Sequence, residues 1–163
     1  MRLKRRRRRT VTSNNGPILL FDGVCNLCNA AVRFVIARDK QHQFRFASLQ
    51  SQAARQALLK AGAPTDLPDS VVVIDRLGVH TRSDAALRIA SILGRPWSFV
   101  AGARVLPRFL RDWVYRGVAR HRYRVFGRRE TCLAPTPALR ERFLDAEEYP
   151  LGAATLTPDE SRL

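Results

Sequence analysis

Cysteine is scarce in this chain, with three residues in 163. So low and odd a number excludes a small secreted scaffold held together by disulfides. Acidic residues are also few, 14 against 29 lysines and arginines, which leaves a net charge of +15. No apolar run approaches the about 18 residues of a membrane-spanning helix. The arginine-rich start is not followed by the apolar segment that a secretory signal needs. A reducing cytoplasm is therefore the expected location, with thiols that stay reduced unless they react.

What the chain does contain is enough apolar material, 45% of its residues, to bury a core. Its length suits one domain with a small helical addition. The positive excess sits in two stretches. Residues 1–9 carry seven basic groups and no acid, and residues 95–129 carry ten with the single acid Asp112. Residues 1–16 have almost nothing to bury and five consecutive arginines, so they read as a disordered basic arm. Such an arm can reach nucleic acid or an anionic membrane surface through phosphate contacts. No aromatic residue is interleaved to stack on bases, and nucleic acid is not the expected partner.

The stretch Ile18–Ala30 organises the rest. Four apolar residues, Ile18 to Phe21, read as a buried strand, and Asp22-Gly23 as the break after it. From Asn26 onward Leu27, Ala30, Ala31, Phe34 and Val35 recur at helical spacing to about Asp39. Cys25 and Cys28 thus lie at a strand-to-helix junction. Gln43–Leu49 alternates as a strand, and Ser51–Ala61 reads as a helix closed by Gly62 and Pro64. Ser70–Asp75 is β-branched and apolar, and a turn at Arg76–Gly78 leads to a short strand, Val79–Arg82. Ser83 and Asp84 can cap a helix over Ala85–Leu93. The order β-α-β-α-β-β-α is that of an α/β, thioredoxin-like sheet flanked by helices, placed here over residues 17–94.

Residues 95–144 read as a helical extension packed on that unit. After Pro107, Phe109, Leu110, Trp113 and Val114 share one face with Leu106, and Arg104, Arg108 and Arg111 fall opposite. The expectation is a helix whose apolar face enters the core and whose arginine face is solvated; the alternative is a docking surface for an acidic partner. A short helix near Leu139–Leu144 and a flexible acidic tail over 145–163 complete the chain.

Cys25 and Cys28, two residues apart on a helix's first turn, bring their sulfurs within bonding reach. Thiol–disulfide exchange needs one thiolate to attack and a second thiol to resolve the mixed disulfide. The amides and dipole of a helix N-terminus stabilise an anion there. Cys25, the more N-terminal and expected to be the more accessible sulfur, takes the attacking role, and Cys28 the resolving one. Cys132 is either a third redox thiol or, as lone cysteines usually are, a small buried hydrophobe. A zinc or iron–sulfur site on Cys25 and Cys28 with His42 would still need His121 or Cys132 from afar, since no second ligand pair follows at structural-zinc spacing. A phosphatase-type reading of Asp22 fails because position 24 is valine.

With these pieces in order, the chain resembles the DCC family of thiol-disulfide oxidoreductases, named for its Asp-x-x-Cys-x-x-Cys motif. The likeness begins at Asp22-Gly23-Val24-Cys25-Asn26-Leu27-Cys28 and continues through Phe44–Leu49, Pro68-Asp69-Ser70-Val71 and Arg82-Ser83-Asp84-Ala85. It runs on through Leu106-Pro107-Arg108 and Arg122-Tyr123-Arg124 to Cys132, covering residues 17–144. The resemblance implies a thioredoxin-like fold, protein-disulfide reductase chemistry and a place for Asp22 in the site. Asp22 would either take a proton from Cys28 or tie down the turn. A cis-proline beside the cysteine pair is usual in such folds, and Pro68 is the candidate. No organic cofactor and no resident metal are implied. The expected partners are a disulfide-containing protein or small-thiol substrate and an upstream reductase as electron donor.

Overall fold

The computed structural model describes residues 16–67, 71–127, 134–148 and 155–156. The basic arm up to position 15, Pro68 and Cys132 lie outside that set. The chain runs β1 (Ile18–Phe21), α1 (Asn26–Arg38), β2 (Arg45–Ser48), α2 (Gln52–Lys60), β3 (Val72–Asp75), β4 (Gly78–Thr81) and α3 (Arg82–Leu93). Then come α4 (Ser98–Ala101), a 3-10 turn at Gly102–Val105 and the long α5 (Arg108–Phe126). A four-stranded mixed sheet has the order β2-β1-β3-β4. β1 pairs parallel to β2 and antiparallel to β3, and β4 returns antiparallel beside β3. This is the α/β, thioredoxin-like arrangement expected from the order of elements.

β1 occupies the middle because its side chains are apolar on both faces, as a doubly covered strand requires. Leu19 and Phe21 join Val32, Val35, Phe44, Phe46 and Val73 on the α1 side. Leu20 points the other way, to Ala54 and Leu58 of α2 with Val72. Full burial of such side chains contributes about 1.5–3 kcal/mol each, so the sheet anchors everything attached to it. Ser51 caps α2 by accepting from the Ala54 amide at 3.1 Å, and Gly62 closes the helix with φ 68°.

Three places after β4 differ from expectation. α3 begins at Arg82, three residues early, because Ser83 and Asp84 do not cap it. Ser83 instead donates to Asp112, and Asp84 binds Arg108 and Arg111 of α5 at 3.1 and 2.9 Å. The helix expected near Leu139 is a single 3-10 turn, Arg140–Arg142. Beyond it Phe143 forms a parallel bridge with Phe46, and Asp145 accepts from the Ser48 amide at 2.6 Å, so this segment lines the edge of β2. Glu148 accepts from the Gln52 and Ala53 amides at the start of α2. Asp145 and Glu148, expected in a flexible tail, are thus tied down, Asp145 at the end of β2 and Glu148 at the unsatisfied amides of a helix start.

The largest correction concerns α5. Phe109 is 75% exposed and Trp113 67%, with Leu106, Leu110 and Val114 exposed as well. The expected core face points outward. α5 is held instead by its other side, where Arg111 pairs with Asp84 and Arg122 is buried.

Candidate active site

β1 ends in a turn that places three residues of the motif at once. The backbone carbonyl of Asp22 accepts from the Cys25 amide at 3.3 Å, and its side chain accepts from the Val24 amide at 3.2 Å. Cys25 is the N-cap of α1, with extended backbone (φ −87°, ψ 119°), and its carbonyl accepts the first helical bond from Asn29 at 3.0 Å. Asn29 turns its side-chain amide back to the Gly23 carbonyl at 2.9 Å, closing the loop from below. Cys28 follows in the first turn of the helix. Both cysteines are free thiols.

Neither sulfur is at the surface. Cys25 is 0% exposed and Cys28 5%, so the expected accessibility of Cys25 is corrected. The C-terminal turns of α5 lie over the start of α1: the Asn26 side chain donates to the Phe126 carbonyl at 2.8 Å, a hundred residues away in sequence. Gly127 ends α5 with φ 78°, and a Cβ there would come within 3.2 Å of the Asn26 side chain, so this crossing favours glycine twice over.

Asp22 is itself buried, 1% exposed, and gathers donors from three parts of the chain. Besides Val24, these are Gln50 at 3.2 Å, Arg122 at 3.2 Å and the Tyr123 hydroxyl. Arg122 also donates to the Tyr123 oxygen at 2.7 Å. A buried carboxylate needs such partners, because an isolated charge in a low-dielectric interior is severely penalised. The aspartate of the motif thereby acquires a physical role. It ties the β1–α1 turn to the loop before α2 and to α5.

The electrostatics of the two thiols are set by the same groups. Burial, a hydrogen bond with Cys25 and the nearness of Cys25 push the Cys28 thiol up to about 12, with Asp22 adding to the rise and Arg122 opposing it. Desolvation works against the charge of Arg122, yet the Tyr123 hydrogen bond and attraction to Tyr123, Cys28 and Cys25 hold it above its ordinary value. Burial and the hydrogen bond to Asp22 raise Tyr123, while Arg122 pulls it down. Cys28 is therefore a proton-bearing thiol at neutral pH, in a site holding one carboxylate and one guanidinium.

Between α1, α3 and α5 lies an apolar cavity of about 200 Å³, lined among others by Cys28, Val32, Val35, Ile89, Ala119 and Arg122. The dithiol thus adjoins incompletely filled space beneath α5.

Residues 19–128 match the family described as DCC1-like thiol-disulfide oxidoreductase. The chain belongs to this family. Uncharacterized protein YuxK of Bacillus subtilis (strain 168) is 44% identical over 127 residues, spanning 78% of this chain and 93% of the relative. A DCC family protein of Arabidopsis thaliana, named as chloroplastic, is 41% identical over 117 residues, spanning 71% and 68% of the two chains. No solved structure matches. Membership of the DCC1-like family supports a thiol–disulfide redox role for the chain.

Of the residues singled out from the sequence, Asp22, Cys25 and Cys28 stand together. His42 does not join them: it follows the far end of α1, about 20 Å along a 13-residue helix, and contacts Arg142 at 3.1 Å. His121 is exposed on α5. Among the described residues no group of three or more metal-ligating side chains occurs, and no helix is long and apolar enough to cross a membrane. The cis peptide bond found among them precedes Pro96; Pro68 lies outside the described residues. Sequence reasoning missed Gln50, Arg122 and Tyr123 as site residues. The one signal available for the latter two was the Arg122-Tyr123-Arg124 element of the family likeness, since helical periodicity places Arg122 opposite the apolar face.

Proposed function

We propose that this DCC1-like protein is a protein-disulfide reductase in which Cys25 attacks and Cys28 resolves. The observation that carries the division of labour is the proton kept on Cys28 by burial and by its hydrogen bond with Cys25. A thiol that donates to its neighbour stabilises negative charge on that neighbour and is not itself the nucleophile.

The Cys25 thiolate attacks one sulfur of a substrate disulfide, whose S–S bond breaks. The first substrate sulfur leaves as a thiolate and takes a proton from water. Cys28 then gives up its proton and attacks the Cys25 sulfur of the mixed disulfide. That bond breaks, the second substrate sulfur departs and is protonated, and a Cys25–Cys28 disulfide forms. The substrate gains two electrons and two protons: both electrons and the Cys28 proton come from the dithiol, and the other proton comes from water. An upstream reductase returns the electrons, with a reducing compartment such as the cytoplasm as the working environment. No organic cofactor takes part.

Asp22 is the acceptor for the Cys28 proton in the resolving step. Its negative charge acts on Cys28, and its four hydrogen bonds fix it where it acts. Because both sulfurs are covered, the end of α5 at Phe126, where it crosses Asn26, opens when substrate arrives, while Arg122 and Tyr123 stay on Asp22.

The test is turnover of a disulfide substrate with a chemical reductant as donor. Cys25→Ser should abolish reduction. Full activity in that variant would remove the assignment.

A further inference from the structure

From Phe99 to Val118 the helical extension carries an apolar surface that nothing among the described residues covers. Phe99 is 72% exposed, Val105 92%, Phe109 75% and Trp113 67%, with Val100, Leu106, Leu110, Val114 and Val118 exposed beside them. In α5 the spacing of Phe109, Leu110, Trp113 and Val114 sets these side chains on one ridge of two turns, with Leu106 just before the helix. The same ridge continues along α5 as Arg116, Arg120 and Arg124, all exposed, and Arg95, Arg104 and Arg108 of the extension are exposed as well. A contiguous apolar patch of this kind marks an interaction site.

Charge decides the occupant. Within residues 95–127 the only acid is Asp112, which is partly buried, accepts from Ser83 and lies beside Arg108. Nothing negative faces outward on the ridge. A second copy meeting the first through this surface would set like-charged arginine rows against each other, which disfavours a symmetric pair. The exposed ridge carries bulky aromatic side chains toward its N-terminal end and arginines toward its C-terminal end. That is the form of a helix lying in a lipid interface, with rings among the acyl chains and guanidinium groups at the phosphates. The sequence adds seven more basic residues at positions 1–9, and juxtaposed basic groups strengthen attraction to anionic lipid.

We infer that the outer face of α4 and α5 docks the protein on an anionic membrane surface, without crossing it. Phe99, Phe109 and Trp113 enter the interface, and Arg104, Arg116, Arg120 and Arg124 meet lipid phosphates. The inner face of the same helix holds Asp22 through Arg122 and Tyr123, so the dithiol lies on the protein side of the docked helix.

The experiment is co-sedimentation of the full chain with vesicles of phosphatidylcholine alone or mixed with phosphatidylglycerol, in low and high salt. The expected result is binding to the mixed vesicles, weakened by salt and reduced at least about tenfold in a Phe109→Gln/Trp113→Gln double variant. That variant keeps the net charge, so its loss reports apolar insertion. Its melting temperature and disulfide-reductase rate should match those of the parent protein. Failure to bind mixed vesicles would overturn the inference. So would equal binding by the double variant, which would assign the effect to arginines alone. Binding to poly-glutamate but not to vesicles would make the surface one for an acidic protein. A parent dimer that the double variant converts to monomer, by light scattering, would make it a self-contact.

Discussion

α1 and α5 are both amphipathic in sequence, and they use that property in opposite ways. α1 turns Cys28, Val32 and Val35 into the sheet, so its apolar stripe is what holds it. α5 turns Arg111 and Arg122 inward and leaves Phe109 and Trp113 in the open. The first helix is fixed by area removed from water, which is indifferent to partner identity. The second is fixed by a few charge pairs to particular residues: Asp84 on α3 and Asp22 at the active-site turn. A hydrophobic stripe therefore states that something must cover it, but not that the chain itself does so.

Opposite substitutions on the two helices give the largest contrast. Val32→Asp buries an unpaired charge where the side chain is 0% exposed, and should cost more than about 4 kcal/mol, abolishing the folded state in denaturant titrations. Trp113→Gln should stay within about 0.5 kcal/mol of the parent protein. A comparable loss at both positions would mean that α5 is packed through its apolar side after all.

Next in size is Arg122→Ala, which removes the guanidinium paired with the buried Asp22 carboxylate and should cost about 3–5 kcal/mol by urea unfolding. Arg116→Ala, one exposed arginine on the outer face, should be close to neutral. If the two were equal, the inner face would not be what holds α5.

A smaller, pH-dependent effect follows from Cys28. Its thiol is raised from 9.0 to about 12 in the folded protein, so the folded state keeps a proton that the unfolded chain gives up near pH 9. The stability this provides is complete below about pH 9 and is lost as pH rises toward about 12. The reduced parent protein should lose stability over that window more steeply than Cys28→Ala. Identical slopes would contradict the buried, hydrogen-bonded thiol.

The sheet and the dithiol were legible in the sequence because local patterns encode them. Ile18–Phe21 and Val72–Ile74 are apolar on both faces, and Cys25 and Cys28 flank the first turn of a helix whose spacing is plain. The partners of Asp22 were not legible, because Arg122 and Tyr123 lie a hundred residues downstream and only the fold brings them back. Ser83 and Asp84 misled for a related reason. Their side chains suit an N-cap, but Asp112 and the arginines of α5 compete for them and win, since charge-assisted bonds are stronger than a neutral cap. The burial of Cys25 has the same source: it depends on where the last turn of α5 ends, which no local pattern specifies.

The two-thiol account is tested most directly by the mass of the trapped intermediate. After brief exposure to glutathione disulfide, Cys28→Ser should carry one glutathione, mapped by peptide mass to Cys25 and persisting because no resolving thiol remains. Cys25→Ser should carry none at position 28. An adduct on Cys28 in the Cys25→Ser protein, with none on Cys25 in the Cys28→Ser protein, would reverse the roles and contradict the account.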